Sequence, residues 1–334
     1  MKKTSAVCLT VIMLLVICSC KSQTEPSQPA IEYPRKSIEL IAPAGSGSGY
    51  DLTIRSVAQC LLDTKLVSVP LPVTNKPGGG GIISLEYLEE KRGVDDVLAV
   101  FSPPLFLINL NGSTTLNYQD NTTPIVRLIT DYGIFAVGKD SPYSTINEVM
   151  VALKQNPKAI KIGGISAPGS MDHIQFLKVA HTAGVSDLKG IEYVGFQDGS
   201  VAAQLMGGHV DLISVGISDS MGLVESGDIR ALATTADKRV GRGILAEVPT
   251  CIEQQIDATF YNWRGVFGPK DMPDYALKYW EETFEQMAQT QEWKETCEKY
   301  GWDMMFSGHD DFVVFLQEVN AEYAVLLNEI GILG

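Results

Sequence analysis

Short apolar segments alternate with segments of helical periodicity along the chain, and this alternation restricts the fold more than any other feature of the sequence. The runs at residues 38–41 (IELI), 97–101 (VLAVF) and 210–215 (VDLISV) have the length and composition of buried strands. Helical patterns follow such runs, and one helix is expected to begin near Ser144, whose hydroxyl can cap it. The repeated strand–turn–helix order predicts an α/β protein with mostly parallel sheets.

Two of the strand–helix junctions are rich in glycine. Residues 42–55 read APAGSGSGYDLTIR, and residues 163–173 read GGISAPGSMDH. Ligands of open α/β sheets bind beyond the carboxyl ends of the strands, so two such turns that face each other would form a cleft. Glycine lets backbone amides approach one oxygen, and no lysine or arginine precedes Arg55 in the first turn. Neutral donors of this kind fit a carboxylate that binds and leaves better than a polyphosphate.

The glycine patterns lack the fingerprints of nucleotide-binding sites. Neither the first turn nor residues 76–81 (KPGGGG) have the glycine spacing of a dinucleotide site or the Lys-Ser/Thr of a P-loop. The four histidines form no ligand cluster, and Cys60, Cys251 and Cys297 allow at most one intrachain disulfide. The net charge is −14 and no basic stripe is present, which argues against a nucleic-acid surface. We therefore expect no cofactor, no metal and no nucleic-acid partner.

The N-terminus has the pattern of an export signal. A basic start (residues 1–3) is followed by the apolar residues 6–18, a segment too short to span a bilayer comfortably. The small residue before Cys20 resembles a lipobox and makes Cys20 the expected lipidation site; an ordinary cleaved signal peptide is the alternative. We predict a lipoprotein signal peptide over residues 1–20 and a polar tether over residues 21–36. The exported protein would be held by lipid at the cell membrane, facing the periplasm or the exterior.

Eight segments follow one another in a characteristic order. They are APAGSGSGYDLTIR (42–55), VTNKPGGGGI (73–82), TTPIVRL (122–128), GGISAPGSMDH (163–173), IEYVGFQDGSVAAQLMGGHVD (191–211), GDIRALATTADKR (227–239), EVPTCIE (247–253) and WRGVFGPKDMP (263–273). In this order they resemble the substrate-binding receptors of tripartite tricarboxylate transporters, also called the Bug family. The resemblance covers nearly all of residues 37–334.

The resemblance implies a two-lobed clamshell of the periplasmic-binding-protein type, an α/β fold in which two strands cross between the lobes. The crossings are expected near residues 130–137 and 259–267. Lobe 1 would comprise residues 37–134 plus 264–334, and lobe 2 would comprise residues 135–263.

In this family the ligand's carboxylate is held, partly through water, by the two glycine-rich turns, and the resemblance carries those positions onto this chain. The positions in the first lobe are Gly47, Ser48, Gly49, Tyr50, Asp51 and Ser102. The positions in the second lobe are Ser166, Ala167, Gly169, Ser170, His173, Asp198 and Ser214. The first turn departs from the Pro-Pro-Gly-Gly of many relatives, and Tyr50 could stack on or hydrogen-bond to the far end of the ligand. These departures leave the identity of the carboxylate open.

Some of these residues have a purely structural alternative. Asp51 could accept from a ligand or could only favour the helix dipole. His173 could orient the turn instead of contacting the ligand. Ser170 and Asp198 could act as helix caps.

The function expected from this resemblance is that of a receptor, not of an enzyme. It would capture a small carboxylate and deliver it to the integral-membrane permease subunits of the transporter. A receptor that passes its closed state to a signalling partner is one alternative. A serine hydrolase that uses Ser166 or Ser170 with His173 as base is another, but no G-x-S-x-G elbow is present, and Ser170 and His173 are too close on one helix to form a triad unaided. Di- and tricarboxylates, acidic amino acids and aromatic carboxylates all fit the expected site.

Overall fold

The computed structural model describes residues 32–196, 199–329 and 331. Its strands are β1 (Glu39–Ala42), β2 (Val73–Asn75), β3 (Val97–Phe101), β4 (Thr122–Gly138), β5 (Ile162–Gly164), β6 (Tyr193–Gly195), β7 (Leu212–Gly216), β8 (Ile229–Thr234), β9 (Tyr261–Pro269) and β10 (Asp303–Ser307). Its α-helices are α1 (Gly49–Asp63), α2 (Ile82–Glu90), α3 (Pro104–Leu110), α4 (Tyr118–Asn121), α5 (Ile146–Gln155), α6 (Met171–Thr182), α7 (Val201–Met206), α8 (Ile217–Ser226), α9 (Asp274–Gln289), α10 (Gln291–Tyr300) and α11 (His309–Glu329).

The strands form a continuous mixed arrangement in the order β2-β1-β3-β9-β4-β7-β5-β6, and β8 and β10 also pair with β4. Parallel pairing, as the sequence predicts, joins β1 to β2 and β3, and joins β5 to β6 and β7. The pairs made by β4, and the pair between β3 and β9, are antiparallel. The expectation of mostly parallel sheets is therefore wrong, because long strands without helical crossovers connect the two parallel groups.

Strand β4 extends through both groups. Its first part, up to Tyr132, pairs with β9, and its later part, from Gly133, pairs with β7 and β8. The chain returns next to this point, where the Phe260 N–H donates to the Thr235 carbonyl just before β9 begins. Two segments are expected to cross between the lobes. Residues 130–137 lie within β4, and residues 259–267 begin just before β9 and continue into it. The lobe boundaries themselves stay a prediction.

Local sequence explains where the helices begin. Helix α5 starts with a capping box in which the Thr145 hydroxyl accepts from the Glu148 N–H and the Glu148 carboxylate accepts from the Thr145 N–H. The cap is therefore Thr145, not the neighbouring Ser144, because only Thr145 lies three residues before an acidic side chain that completes the box. The long helix α11 buries Phe312 against Trp263 of β9.

Tyr33, which the sequence assigns to the tether, packs against helix α9. Its ring meets the rings of Tyr275, Tyr279 and Trp280 edge-on, and its hydroxyl accepts from the Trp280 indole N–H at 2.7 Å. Cys20, the signal peptide and residues 21–31 lie outside the described residues. Within the described part of the chain, no helix combines the length and apolar character needed to cross a bilayer.

Candidate functional site

A cleft of about 280 Å³ opens where the two glycine-rich turns meet strand β9. Its walls come from the first turn and the start of α1, from the turn before α6, and from Asn262 and Arg264 of β9. Ser102, which follows β3, and Asp219, in the first turn of α8, also line it. The site therefore lies at the carboxyl ends of strands from both parallel groups, as expected for open α/β sheets.

Asp51 organises the first turn from beneath. Its carboxylate accepts from the Gly47 N–H at 2.9 Å, from the Asn75 amide at 2.9 Å and from the Arg55 guanidinium at 2.7 Å. Burial alone would raise the pKa of Asp51, but these three donors outweigh burial and lower it. Asp51 thus holds the first turn in shape through these hydrogen bonds, and it does not line the cleft.

Tyr50 and Ser102 form a polar pair inside the cleft. The Ser102 hydroxyl donates to the Tyr50 phenol oxygen at 2.7 Å. Burial raises the pKa of Tyr50 to about 12, although Ser102 and Arg264 oppose the shift. The phenol is therefore neutral at physiological pH and can donate its own proton to a ligand.

The second turn folds around Asp172. One carboxylate oxygen, Oδ2, accepts from the N–H groups of Ile165 and Ser166, each at 2.8 Å. In return, the Ser166 hydroxyl accepts from the Asp172 N–H at 2.9 Å. Ser170 occupies the N-cap position of α6, but its hydroxyl makes no capping bond and is buried without a partner. The capping role therefore falls to Ser166, and Ser170 remains available for a ligand.

His173 orients the second turn. Its Nδ1 accepts from the Gly169 N–H at 3.0 Å, and its ring stacks on Tyr193 with the centroids 4.4 Å apart. Burial lowers the pKa of His173 to about 4, so the imidazole is neutral at pH 7. Its Nε2 is buried without a partner.

Arg264 occupies the floor of the cleft and joins distant parts of the chain. Its guanidinium donates to the Gly49 carbonyl at 2.8 Å and to Asp131 of β4 at 2.9 Å, and both charged side chains are almost fully buried. Asp131 also accepts from Ser218 of α8 at 2.8 Å. The ion pair thus links the start of α1 to both long strands and to α8.

A family model described as "Tripartite tricarboxylate transporter family receptor" matches residues 54–332. This chain belongs to that family. The receptor is 25% identical over 312 residues to a Cupriavidus necator protein named "UPF0065 protein in gbd 5'region", covering 91% of this chain and 90% of the relative.

Solved structures share the fold of this receptor. A Rhodopseudomonas palustris protein with adipate is 20% identical, with a TM-score of 0.81 over 90% of this chain and 99% of its own. MatC from the same organism, with bound malate, is 16% identical, with a TM-score of 0.78 over 88% of this chain and 100% of its own. A periplasmic binding protein named BugD has a TM-score of 0.79 at 18% identity, over 90% of this chain and 99% of its own. The predicted fold class is confirmed.

The receptor's cleft brings together part of the predicted ligand set. The predicted residues that line it are Ser48, Gly49, Tyr50, Ser102, Ser166, Ala167 and Ser170. The predicted residues that lie outside its lining are Gly47, Asp51, Gly169, His173 and Ser214. Ser214 is fully buried beneath the cleft, where its hydroxyl donates to the Asp172 carbonyl at 2.7 Å. Asp198 lies outside the described residues. The assignment of all these residues as ligand contacts stays a prediction.

The backbone amides expected to hold the ligand are used within the protein. The Gly47 and Gly169 N–H groups donate to Asp51 and His173, and the Ser170 N–H donates to the Ala167 carbonyl at 3.0 Å. Because each amide has one hydrogen to donate, these groups are engaged in this conformation.

Two acidic side chains outside the predicted ligand set, Asp172 and Asp219, line the cleft. Burial raises the pKa of Asp172 to about 7, and the neighbouring Asp219 adds to the shift. Burial raises the pKa of Asp219 to about 6, with Arg264 opposing and Asp131 adding. Within the described residues no cluster of side chains suits a metal ion, and Cys60, Cys251 and Cys297 are buried free thiols.

Sequence reasoning missed Arg264, Asp131, Asp172 and Asp219 as members of the site. Arg264 and Asp172 lie inside two of the quoted family segments, and Arg264 interrupts an apolar strand, which is a signal that a buried arginine has a partner. Asp219 carries no comparable local signal, because only the fold brings α8 to the cleft.

Proposed function

We propose that this receptor captures a small carboxylate in the cleft and delivers it to a tripartite tricarboxylate-type permease. Membership of the receptor family supports this function, and the solved relatives with adipate and malate show that the fold can hold organic acids. A sensing role would use the same capture step.

The observation that carries the proposal is the free hydroxyl of Ser170 at the N-terminus of α6. The Ser170 hydroxyl lines the cleft, is buried and has no partner. It stands at the start of a twelve-residue helix, whose N-terminus attracts negative charge. Tyr50 faces the same cleft from the start of α1, and its phenol proton is free because Ser102 donates to it, so a carboxylate can receive donors from both walls.

The same geometry supports binding over hydrolysis. A serine nucleophile needs a base that accepts its proton, but the Ser170 hydroxyl has no hydrogen-bond partner, and the His173 Nδ1 already accepts from Gly169. The lowered pKa of His173, about 4, makes it a weak base. We therefore assign Ser170 to ligand binding.

Mass spectrometry of the ligand that copurifies with the receptor tests the proposal. An organic acid that rebinds in calorimetry supports it, whereas a ligand without a carboxyl group contradicts it. Ser170→Ala should weaken binding of that acid about tenfold to a hundredfold, the usual range for one hydrogen bond to a charged group. Ser226→Ala, at an exposed serine near the end of α8, is the matched control and should leave binding unchanged.

We further propose that lipid on Cys20 holds the receptor at the membrane, close to the permease. Cys20→Ala should release the receptor into the soluble fraction, because one acylated cysteine is the anchor that the sequence offers. Retention of the variant in salt-washed membranes would contradict lipid anchoring. Loss of uptake of the bound acid in cells with the soluble variant would link capture to transport.

A further inference from the structure

We propose that the ligand of this receptor carries a protonated amine beside its carboxylate, and that Asp172 and Asp219 bind this amine. The inference rests on the proposed function, since it assigns a second recognition element to the same cleft. It narrows the ligand from carboxylates in general to amino-acid-like zwitterions.

The first support is the unequal use of the two Asp172 oxygens. Oδ2 accepts from two backbone N–H groups, whereas Oδ1 is buried without a partner, and the residue lines the cleft at only 2% exposure. An unsatisfied buried carboxylate oxygen is costly in free energy unless something binds it. An ammonium group supplies charge-assisted donors that match such an oxygen.

The second support is the charge balance of the cleft. Arg264 is the cationic side chain among the cleft-lining residues, and it already pairs with Asp131 at 2.9 Å. Asp172 is then left without a positive partner on the cleft wall, and Asp219 shares the charge of Arg264 with Asp131. A ligand with only carboxylates would add negative charge next to two buried acids, whereas an amine would offset them.

The two acids also stand where they can act together. Asp172 lies in the first turn of α6 and Asp219 in the first turn of α8, and the negative charge of Asp219 adds to the raised pKa of Asp172. The hydroxyl of Ser170 opens on the same wall as Asp172. One compact zwitterion can therefore place its carboxylate at Ser170 and its amine at Asp172 and Asp219.

The competing arrangement is a protonated Asp172 that donates to a ligand carboxylate. The titratable groups that face Asp172 are Asp219, Tyr50, Tyr193 and, stacked on that tyrosine, His173. None of these groups is positively charged at pH 7, so they do not distinguish the two arrangements. Binding measurements with matched ligands do.

The experiment uses calorimetry with pairs of probes that differ only by an amine: aspartate against succinate, glutamate against glutarate, alanine against propionate, and phenylalanine against 3-phenylpropionate. We expect at least one amine-bearing probe to bind about tenfold or more tightly than its partner, as expected for a charge-assisted hydrogen bond. Equal or tighter binding of the amine-free partners, or binding of no amine-bearing probe at millimolar concentration, overturns the inference.

Asp172→Asn sharpens the test because it can keep an oxygen for the Ile165 and Ser166 N–H groups and replaces the free acceptor by a donor. Binding of the amine-bearing probe should weaken about 10- to 100-fold, while binding of its amine-free partner holds or improves. Asp219→Asn should act in the same direction. Asp257→Asn, which removes an exposed charge away from the cleft lining, is the control and should leave both affinities unchanged.

The outcomes separate this inference from the proposed function. Tight binding of succinate or glutarate with no amine preference keeps the carboxylate receptor and overturns the amine site. Equal weakening of both members of a pair by Asp172→Asn also overturns it. Binding that increases as the pH falls for an amine-free acid would favour the protonated-Asp172 arrangement. Binding of amines that lack a carboxyl group would instead overturn the proposed function.

Discussion

At the residue scale, Arg264 joins parts of the chain that lie far apart in the sequence. Its guanidinium donates to Asp131 and to the Gly49 carbonyl. The guanidinium carbon Cζ also lies over the Trp302 ring, 5.7 Å from the ring centroid. A buried ion pair is a weak source of net stability, but losing one partner leaves an uncompensated buried charge. The pair therefore fixes how α1, β4 and β9 are positioned relative to one another.

Arg264→Met should lower the free energy of unfolding by about 3–5 kcal/mol, because the buried Asp131 carboxylate loses its cation. Urea denaturation with the ligand absent measures the change. Arg242→Met is the matched control, since Arg242 pairs with Glu298 on the surface at 3.2 Å and such pairs contribute at most about 1 kcal/mol. Equal losses in the two variants would show that the buried pair has no special role.

Asp172 should make the stability of the ligand-free receptor depend on pH. Its pKa is raised from 3.8 to about 7, so the folded state binds more protons than the unfolded state between these values. Stability from this group is present below pH 4 and is lost as the pH rises toward 7. His173, with its pKa lowered to about 4, acts in the opposite direction over a similar range, so the wild-type profile alone does not isolate Asp172.

Asp172→Asn isolates this contribution. Relative to wild type, the variant should gain about 2.5 kcal/mol more in free energy of unfolding at pH 7.5 than at pH 5, because the interval contains nearly two pH units below the pKa of Asp172 and each is worth about 1.4 kcal/mol. Parallel urea titrations at the two pH values measure the difference, with Asp257→Asn as the exposed control. A variant whose stability difference from wild type is the same at both pH values would contradict the raised pKa.

At the element scale, the glycine-rich turns show what a sequence can and cannot predict. The position of both turns at the cleft can be predicted because its signals are local: glycines and serines between a strand and a helix. The hydrogen-bond donors that these turns offer cannot be predicted in the same way, because the Gly47 and Gly169 amides donate to Asp51 and His173, four residues further along. Whether an amide faces a ligand or a side chain depends on how the helix start is rotated, and composition does not encode that.

Gly49→Ala tests how closely α1 approaches β9. A β-carbon at this position would lie 3.1 Å from Cζ of Arg264 and closer still to one of its terminal nitrogens, and Arg264 is held in place by Asp131. We expect a loss of about 1–3 kcal/mol in the free energy of unfolding from this overpacking. Gly45→Ala, in the same turn, meets nothing within 4 Å and is the control. Thermal or urea unfolding of the two variants decides whether the contact is as close as described.

At the scale of the whole molecule, two long strands and one helix connect the parts that form the cleft. Strands β4 and β9 pair through Tyr132 and Tyr261, next to where β4 changes partners. Helix α11 packs on Trp263 and also reaches α6, where Lys178 pairs with Glu322 at 3.2 Å. The order of the segments predicted the class of fold, but Asp131, Asp219 and Arg264 meet only through the register of these strands, which no local pattern specifies.

Ligand binding should draw the walls of the cleft together by a hinge motion at β4 and β9, since donors from the first turn and from α6 must reach one small molecule. Small-angle X-ray scattering should show a smaller radius of gyration when the copurified ligand is added back to the stripped receptor. Ser170→Ala at the same ligand concentration should show a smaller change, in proportion to its lower occupancy. An unchanged radius at saturating ligand would indicate a cleft that is already closed.

The contrast between satisfied and unsatisfied groups has a consequence for re-engineering. Arg264 and Asp51 each make several hydrogen bonds to other parts of the fold, so substituting either residue would disturb the packing of the elements that they connect. The free atoms of Ser170 and Asp172 belong to neighbouring positions on a single helix end. We therefore expect substitutions at the start of α6 to change ligand preference while leaving the framework of the receptor intact.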